Sequence, residues 1–373
     1  MPLKVAIIGA GMSGLSCAIT LEKHSITPHI FESRSCVGDR FVNGESMFHI
    51  LNSPIGDCLT YLKDEHDIRL NPVAEVHNIM IHSRKETGCI SGKIGYTNIR
   101  GRHKDSYEMQ LKNQVKSPIE YNSKYNYEEI CKSFDVVVVA TGDSDYASHL
   151  GNYRTDLSCT ARGATIEGSF QVDMPHAWFD YGIMPKGYGW IIPYSNTEAN
   201  IVMLYPDYPS ITKMDINAMW DRFFEKVMKD LDQRFKITDK FEITRYMVGV
   251  CDKPKFENTY FVGNCFGAIS PGLGFGQFTS ILTGIYSAYD ICGLGDYGEL
   301  AKPIFKNYER SLAFRRFLEN LNDDDLDFAV KNLNIELLKK LVDKACNKNS
   351  KSQALRNAVP LMRVFNRLKA IKK

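Results

Sequence analysis

No run in this chain comes near the roughly 20 consecutive apolar residues that a bilayer span needs, so the sequence offers no transmembrane segment. Net charge is nearly absent as well. The 46 Lys and Arg are balanced by 44 Asp and Glu, leaving +2, which argues against nucleic acid as the main partner. There is no internal repeat and no low-complexity segment. The ten cysteines form no Cys-x-x-Cys pair and show no metal-ligand spacing, so no metal site is expected. With no secretion signal, they are expected to be reduced thiols of a cytoplasmic protein. No Ser–His–Asp set can be read either, and the catalytic residues stay unassigned. What remains is ordinary: 44% apolar and 24% charged residues over 373 positions, a globular composition long enough for about two domains.

The strongest pattern lies near the N-terminus. Val5-Ala-Ile-Ile8 reads as a buried parallel strand, Gly9-Ala-Gly11-Met-Ser13-Gly14 as a turn, Leu15 to Leu21 as a small-residue helix, and His29-Ile-Phe-Glu32 as a second strand. This is the βαβ nucleotide fingerprint in its full context. Gly9 allows the tight turn, Gly11 lets the backbone approach a pyrophosphate, and Gly14 lets helix and strand pack closely. The phosphates would sit on the free N–H groups of the helix N-terminus. Glu32 is placed to accept the hydroxyls of an adenosine ribose and to repel a 2′-phosphate, so the site should hold FAD or NAD rather than NADP. The alternative, a signal peptide opening at Lys4, conflicts with the glycines and with the strand that follows.

Further along, Ser33 to Glu45 is a glycine-containing loop, residues 53–67 read as a helix, and 71–91 as strand. Gly101 to Leu111 has a helix start, with Glu108 three residues after Asp105. Asp135-Val-Val-Val-Val-Ala140-Thr141-Gly142 resumes the parallel sheet a hundred or so residues after it began, so the piece between is an insertion or crossover. From about Ser158 the pattern turns antiparallel. Thr165 to Asp173 alternates, and Tyr188 to Pro193 with Ala199 to Tyr205 form a hairpin across Ser195 to Glu198. A helix at 214–233 and a strand at 241–250 follow, then a strand and turn at 258–264, then a long small-residue helix from Gln277 to about Gly293. Residues 303–373 carry only helical pattern. The expected fold is α/β: a discontinuous Rossmann-like dinucleotide domain (1–70, 95–157 and 251–300), a mostly antiparallel substrate or cap domain (71–94 and 158–250) and a C-terminal helical region (301–373).

Three separated pieces line up: the first βαβ unit, Ala140-Thr141-Gly142, and Gly263-Asn264 followed by Pro271-Gly-Leu-Gly-Phe-Gly276. Together they resemble the FAD-binding core of the para-hydroxybenzoate hydroxylase superfamily, and within it the geranylgeranyl reductase family, including archaeal reductases of digeranylgeranyl-glycerophospholipids. Pro271 to Gly276 resembles that family's Pro-Leu-Thr-Gly-Glu-Gly loop. Tyr188-Gly-Trp-Ile-Ile-Pro193 resembles its Tyr-x-Trp-x-Phe-Pro motif, and Asn322 to Leu326 its C-terminal segment. The chain departs at Asn264, where the family has aspartate; an asparagine still accepts and donates hydrogen bonds and so is compatible with FAD. It departs again after Pro193, where Tyr194 and Asn200-Ile-Val replace a Lys and Gly-x-Gly, and at Thr141, where the hydroxylases' aspartate is missing.

The resemblance implies an FAD site. Gly9, Gly11, Ser13 and Gly14 would hold the pyrophosphate and Glu32 the ribose, with Ala140, Thr141 and Gly142 at the second strand end. Gly263 and Asn264 would meet the ribityl chain. Gly274, Phe275, Gly276 and Gln277 would bring a helix N-terminus to the pyrimidine edge of the ring, which favours an anionic reduced flavin. Arg102 would face the cofactor and Arg40 the ring; for each, a solvated surface charge is the alternative. Tyr188, Trp190 and Pro193 would line an apolar substrate tunnel, the alternative being core packing; Tyr188 and Trp190 share one face of a strand. For His176 and Trp178, packing is the stronger reading, and Cys265 reads as a small core residue.

The implied activity is hydride delivery from reduced flavin to a carbon–carbon double bond of an isoprenoid or other apolar substrate. The alternatives are a flavin monooxygenase or halogenase acting on an aromatic metabolite, and an electron-transfer flavoprotein. No second Gly-x-Gly-x-x-Gly follows a strand, so electrons would come from NAD(P)H docking on the flavin or from a ferredoxin-like protein. The basic stretch 352–373 has Leu355, Val359, Met362, Phe365 and Leu368 at helical spacing. It suits peripheral contact with an anionic membrane, or a helix docked on the body with a solvated basic face.

Overall fold

The structure, a computed structural model, describes residues 2–49 and 55–333. The strand of Val5–Ile8 (β1) is wholly buried, as a strand covered on both faces must be. It lies parallel to His29–Phe31 (β2) and Val136–Val139 (β7). Thr259–Phe261 (β14) continues the parallel sheet beside β7, and Ile119–Glu120 (β6) closes it beside β2. Lys255–Phe256 (β13) adds an antiparallel edge, giving the order β13-β14-β7-β1-β2-β6. This is the Rossmann-like sheet of an α/β fold.

One face is covered by Met12–Lys23 (α1) and Gln277–Ile291 (α7), whose residues join Ile7, Val138 and Val262 in the largest apolar cluster. Cys58–His66 (α2) and Tyr107–Lys112 (α3) pack into the same cluster. Tyr127–Ser133 (α4) and Asp145–His149 (α5) cover the other face, through Ile130 and Ala147 against Ile8, Val137 and Phe261. The helices α1 and α7 touch closely: a Cβ on Gly284 would lie 2.1 Å from the Ser13 carbonyl oxygen; within the turn that leads into α1, a Cβ on Gly14 would lie 2.1 Å from the Gly9 carbonyl oxygen.

The second sheet runs Lys236–Cys251 (β12), Tyr153–Glu167 (β8), Glu198–Pro206 (β11), Tyr188–Pro193 (β10), His176–Trp178 (β9), Ala74–His82 (β4), Thr87–Arg100 (β5) and Asn43–Phe48 (β3). The hairpin read from the sequence is present, with Tyr188 opposite Leu204 and Pro193 opposite Ala199. Ile216–Asp230 (α6) covers one face, seating Phe223 and Val227 on Trp178, Ile191 and Ile201. The sheet curls so far that a Cβ on Gly44 of β3 would lie 2.9 Å from Ile192 of β10. Tyr297–Glu319 (α8) and Asp323–Lys331 (α9) complete the described chain.

Three local readings shift. Of the strand read at 165–173, only Thr165 to Glu167 is strand, as the end of β8, and 168–173 are loop and turn. The helix near 101–111 begins at Tyr107, because the Ser106 hydroxyl, not Asp105, caps it by accepting from Met109 N at 3.3 Å. The helix at 53–67 begins at Cys58, where the Asp57 side chain accepts from Thr60 N. The basic stretch 352–373 and the membrane contact read from it lie outside the described residues; no described helix is long and apolar enough to cross a membrane.

The α1–α7 contact sets a steric test. Gly284→Ala is expected to force the helices apart and destabilise the fold by about 1–3 kcal/mol, the usual range for overpacking. Thermal unfolding checks this, and an unchanged midpoint would show that the contact yields freely.

Candidate functional site

A cleft of about 1340 Å³ runs between the two sheets, from the glycine turn after β1 to α8 and α9. A single small-molecule site typically occupies about 300–1,000 Å³, so this cleft has room for a cofactor and a second molecule. It contains most of the residues singled out in the sequence: Gly9, Gly11, Ser13, Glu32, Arg40, Ala140, Thr141, Gly142, Gly263, Asn264, Gly274, Phe275, Gly276, Gln277, Tyr188 and Trp190. Gly14 sits just behind, packed against Gly9.

At one end, two helices open on the cleft. Neither Gly11, at the N-cap of α1, nor Gly276, at the N-cap of α7, has a side chain to cap the first turn. The N–H groups of a first helical turn have no partner within the helix and attract negative charge. Gly9 has φ +107°, and a Cβ there would lie 2.3 Å from the Ala140 carbonyl oxygen, so glycine is needed to bring β1 and β7 together. Gly11 is different: a Cβ there would meet nothing within 4 Å. The protein's own packing leaves that space open, as a dinucleotide pyrophosphate requires.

Glu32 is 9% exposed. Its two carboxylate oxygens accept from Ala10 N and Arg34 N, each at 2.9 Å. This fixes the carboxylate at the tip of β2 and leaves acceptor capacity on both oxygens for a ribose. Asn264 donates through Nδ2 to the Gly142 carbonyl at 2.9 Å and to the Tyr246 hydroxyl. Its amide donors are therefore engaged by the protein, and the side chain offers a ligand its carbonyl oxygen, an acceptor like the aspartate it replaces. The Cys265 thiol donates to the Asp143 carbonyl, and burial pushes its pKa up to about 12. It stays protonated and packs as a small core residue.

Two expectations are corrected. Arg102 lies outside the cleft lining, with its guanidinium on Asp239 at 2.5 Å. The strand ends at Arg100, and it is Arg100 that reaches the cleft, clamped by Glu108 at 2.6 Å and Glu45 at 2.9 Å. Burial opposes its charge, but the two carboxylates hold its pKa above the ordinary guanidinium value. Glu45 in turn accepts from Gln277, whose amide pairs both ways with Asn98 at 2.8 and 2.9 Å. This chain of polar groups fixes the start of α7. Pro193 is the second correction. Alternation along β10 sends Tyr188, Trp190 and Ile192 to the cleft and Pro193, with Ile191, to a separate space of about 180 Å³ on the α6 side. Arg40 does line the cleft, lying 5.6 Å over the Phe41 ring.

The far end of the cleft is an apolar chamber. Ile79 and Ile81 of β4 and Ile90 and Ile94 of β5 form one wall, and Phe179, Tyr188 and Trp190 another. Phe317 of α8 and Leu326 and Val330 of α9 close it. The latter helix is anchored on the β4–β5 turn: Asp327 accepts from the Ser83 hydroxyl at 2.6 Å and from Lys85 N at 3.0 Å. Nothing in the sequence pointed to this chamber beyond the isoleucines at strand spacing. Trp178 is fully buried, its indole N–H donating to Asp230 at 2.9 Å, so packing is its role. His176 is bonded to His82 at 3.0 Å and stacked with it.

Against this geometry, the chain matches the family model described as an NAD(P)-binding Rossmann-like domain over residues 7–46. Among solved structures it is similar to a geranylgeranyl bacteriochlorophyll reductase-like protein from Thermoplasma acidophilum. That match has 18% identity and a TM-score of 0.68, covering 97% of this chain and 98% of the other. A flavoprotein/dehydrogenase from Cytophaga hutchinsonii matches at 13% identity and TM-score 0.68, covering 100% of both chains. A flavin-dependent brominase matches at 13% identity and TM-score 0.64, covering 98% and 100%. The chain therefore has the fold of flavin-dependent oxidoreductases, one that reductases and halogenases share.

Burial pushes both His82 and His176 down to about 4; Asp230 partly offsets this at His82 while Lys226 adds to it, and His82 lowers His176 further. The unfolded chain, with imidazoles near 6.5, binds more protons than the folded one between about 6.5 and about 4, so stability is lost as the pH is lowered through that window. His82→Gln is expected to flatten the fall. Thermal unfolding of both proteins across the window checks this, and parallel curves would show that the pair is not held neutral.

Proposed function

We propose that this chain is an FAD-dependent oxidoreductase, and within that class a reductase of carbon–carbon double bonds in an isoprenoid or other apolar substrate. The observation that carries the reading is the single cleft. It joins a dinucleotide turn and two uncapped helix N-termini to a chamber walled by isoleucines and aromatics. FAD, when bound, supplies the hydride chemistry. The chain's own groups position and shield. Gly9, Gly11, Ser13 and Gly14 would cradle the pyrophosphate at the start of α1, Glu32 would hold the ribose, and Gly142, Gly263 and Asn264 would meet the ribityl chain. Gly274 to Gln277 and the start of α7 would lie along the pyrimidine edge, where their N–H groups favour negative charge. Trp190 and the isoleucine wall would keep water from the reacting carbons. Electrons would enter from NAD(P)H or a ferredoxin-like protein. The resemblance of the fold to a brominase supports a second reading, an oxygen-using monooxygenase or halogenase.

Gly11→Val tests the cofactor site. With nothing within 4 Å of that Cβ, the variant is expected to melt within about 0.5 kcal/mol of wild type, as for an unconstrained position, yet to purify without flavin. Flavin bound normally to this variant would remove the pyrophosphate assignment.

The reaction is tested anaerobically. The bound flavin is reduced, a polyprenyl lipid extract is added, and recovery of the oxidised absorbance is followed. Recovery is the expected result. Silence with lipid but rapid recovery in air, stimulated by an aromatic compound, would move the assignment to the oxygen-using reading.

A further inference from the structure

Tyr188 stands in the chamber wall between Phe179, at 5.6 Å between ring centroids, and Trp190, at 5.4 Å. A phenol in an apolar wall costs more than a phenyl ring unless its hydroxyl finds a partner. Here the partner is not in the chamber. The Tyr188 hydroxyl donates to the Leu273 carbonyl at 2.6 Å, within the loop Pro271 to Gly276. That loop is closed on itself by Gly274 N to the Ser270 carbonyl and Ser270 N to the Phe275 carbonyl, both 2.8 Å. Its other tie is also foreign to the first sheet: Ser311 of α8 accepts from Gly272 N at 2.8 Å and bonds the Ser270 hydroxyl. The contact is close on both sides. A Cβ on Gly274 would lie 3.3 Å from the Tyr188 hydroxyl, and one on Gly272 2.9 Å from the Ser311 hydroxyl.

We propose that Tyr188 is a positioning residue rather than a donor to substrate. Its ring faces the chamber while its hydroxyl, with that of Ser311, fixes the Pro271–Gly276 loop and the first turn of α7 against the cofactor ring, and so sets the cofactor's reduction potential. The inference rests on the flavin reading above. The first turn of α7 stabilises negative charge only where it is held at the ring edge. Loosening the loop withdraws that stabilisation from the reduced state. Because the ring of Tyr188 is part of the chamber wall, an occupant that displaces it acts on the same loop.

The test is the midpoint potential of the bound flavin in the full-length holoprotein, measured for wild type, Tyr188→Phe, Ser311→Ala and the double variant. Tyr188→Phe keeps the ring and removes only the tether. It is expected to shift the oxidised-to-reduced ratio about tenfold toward the oxidised form, about 30 mV more negative for a two-electron couple. Ser311→Ala is expected to shift it in the same direction, and the double variant by other than the sum, since both act on one loop. If Tyr188→Phe does not fold, Ser311→Ala decides alone. Wild-type potentials in both tether variants would overturn the inference while leaving the flavin reading intact. A wild-type protein that takes up no flavin would sink the reading and the inference together.

Discussion

The arrangement depends on one steric constraint, the direct backbone contact of α1 with α7. Gly284 lets α7 rest on the carbonyl of Ser13, and Gly14 lets α1 rest on the carbonyl of Gly9. Those two contacts bring a helix from the start of the chain and one from its last third to the same face of the first sheet. Both then begin at the same cleft, with a glycine at each N-cap. A dinucleotide is a molecule with one charged centre in the pyrophosphate and another charge-accepting centre in the ring. Two helix N-termini opening on one cleft match that layout.

The second sheet supplies what the first cannot. Its concave face is apolar, and its strands bring few polar side chains into the chamber. Where it meets the nucleotide end, polar groups appear in a continuous chain: Glu108, Arg100, Glu45, Gln277 and Asn98. Arg100 is half-buried, and a charge withdrawn from water in this way is tolerated because two carboxylates answer it. The effect is to pin β3, β5, α3 and α7 to one another at the cleft, so that the junction between the sheets is held by side-chain bonds as well as by packing.

What the sequence disclosed follows physical lines. The βαβ unit was legible because Gly9 and Gly14 answer steric demands that other residues cannot meet, as the φ of +107° at Gly9 shows, while Gly11 keeps open a space the protein itself does not fill. The hairpin of β10 and β11 was legible because alternation and a polar turn are local signals. The Arg100 cluster was not legible, since its members come from β3, β5 and α3 and meet only through tertiary packing. Choosing Arg102 over Arg100 rested on motif spacing alone, where the end of β5 decides which arginine turns inward. Pro193 could have been placed from the period of two: Tyr188 and Trp190 share a face that an odd step leaves. The chamber was hidden because β4 and β5 carry isoleucines that any strand core would carry.

The far end of the chamber is closed not by the curled sheet but by α9, which reaches the β4–β5 turn through Asp327 and the Ser83 hydroxyl. The nucleotide-like turn and the closed end of the pocket are thus carried by different parts of the chain. Under the proposed function, Leu326 and Val330 of α9 would set how long an apolar guest can be. A change in that one peripheral helix would then alter the guest's length while leaving the glycine turn and the Pro271–Gly276 loop untouched.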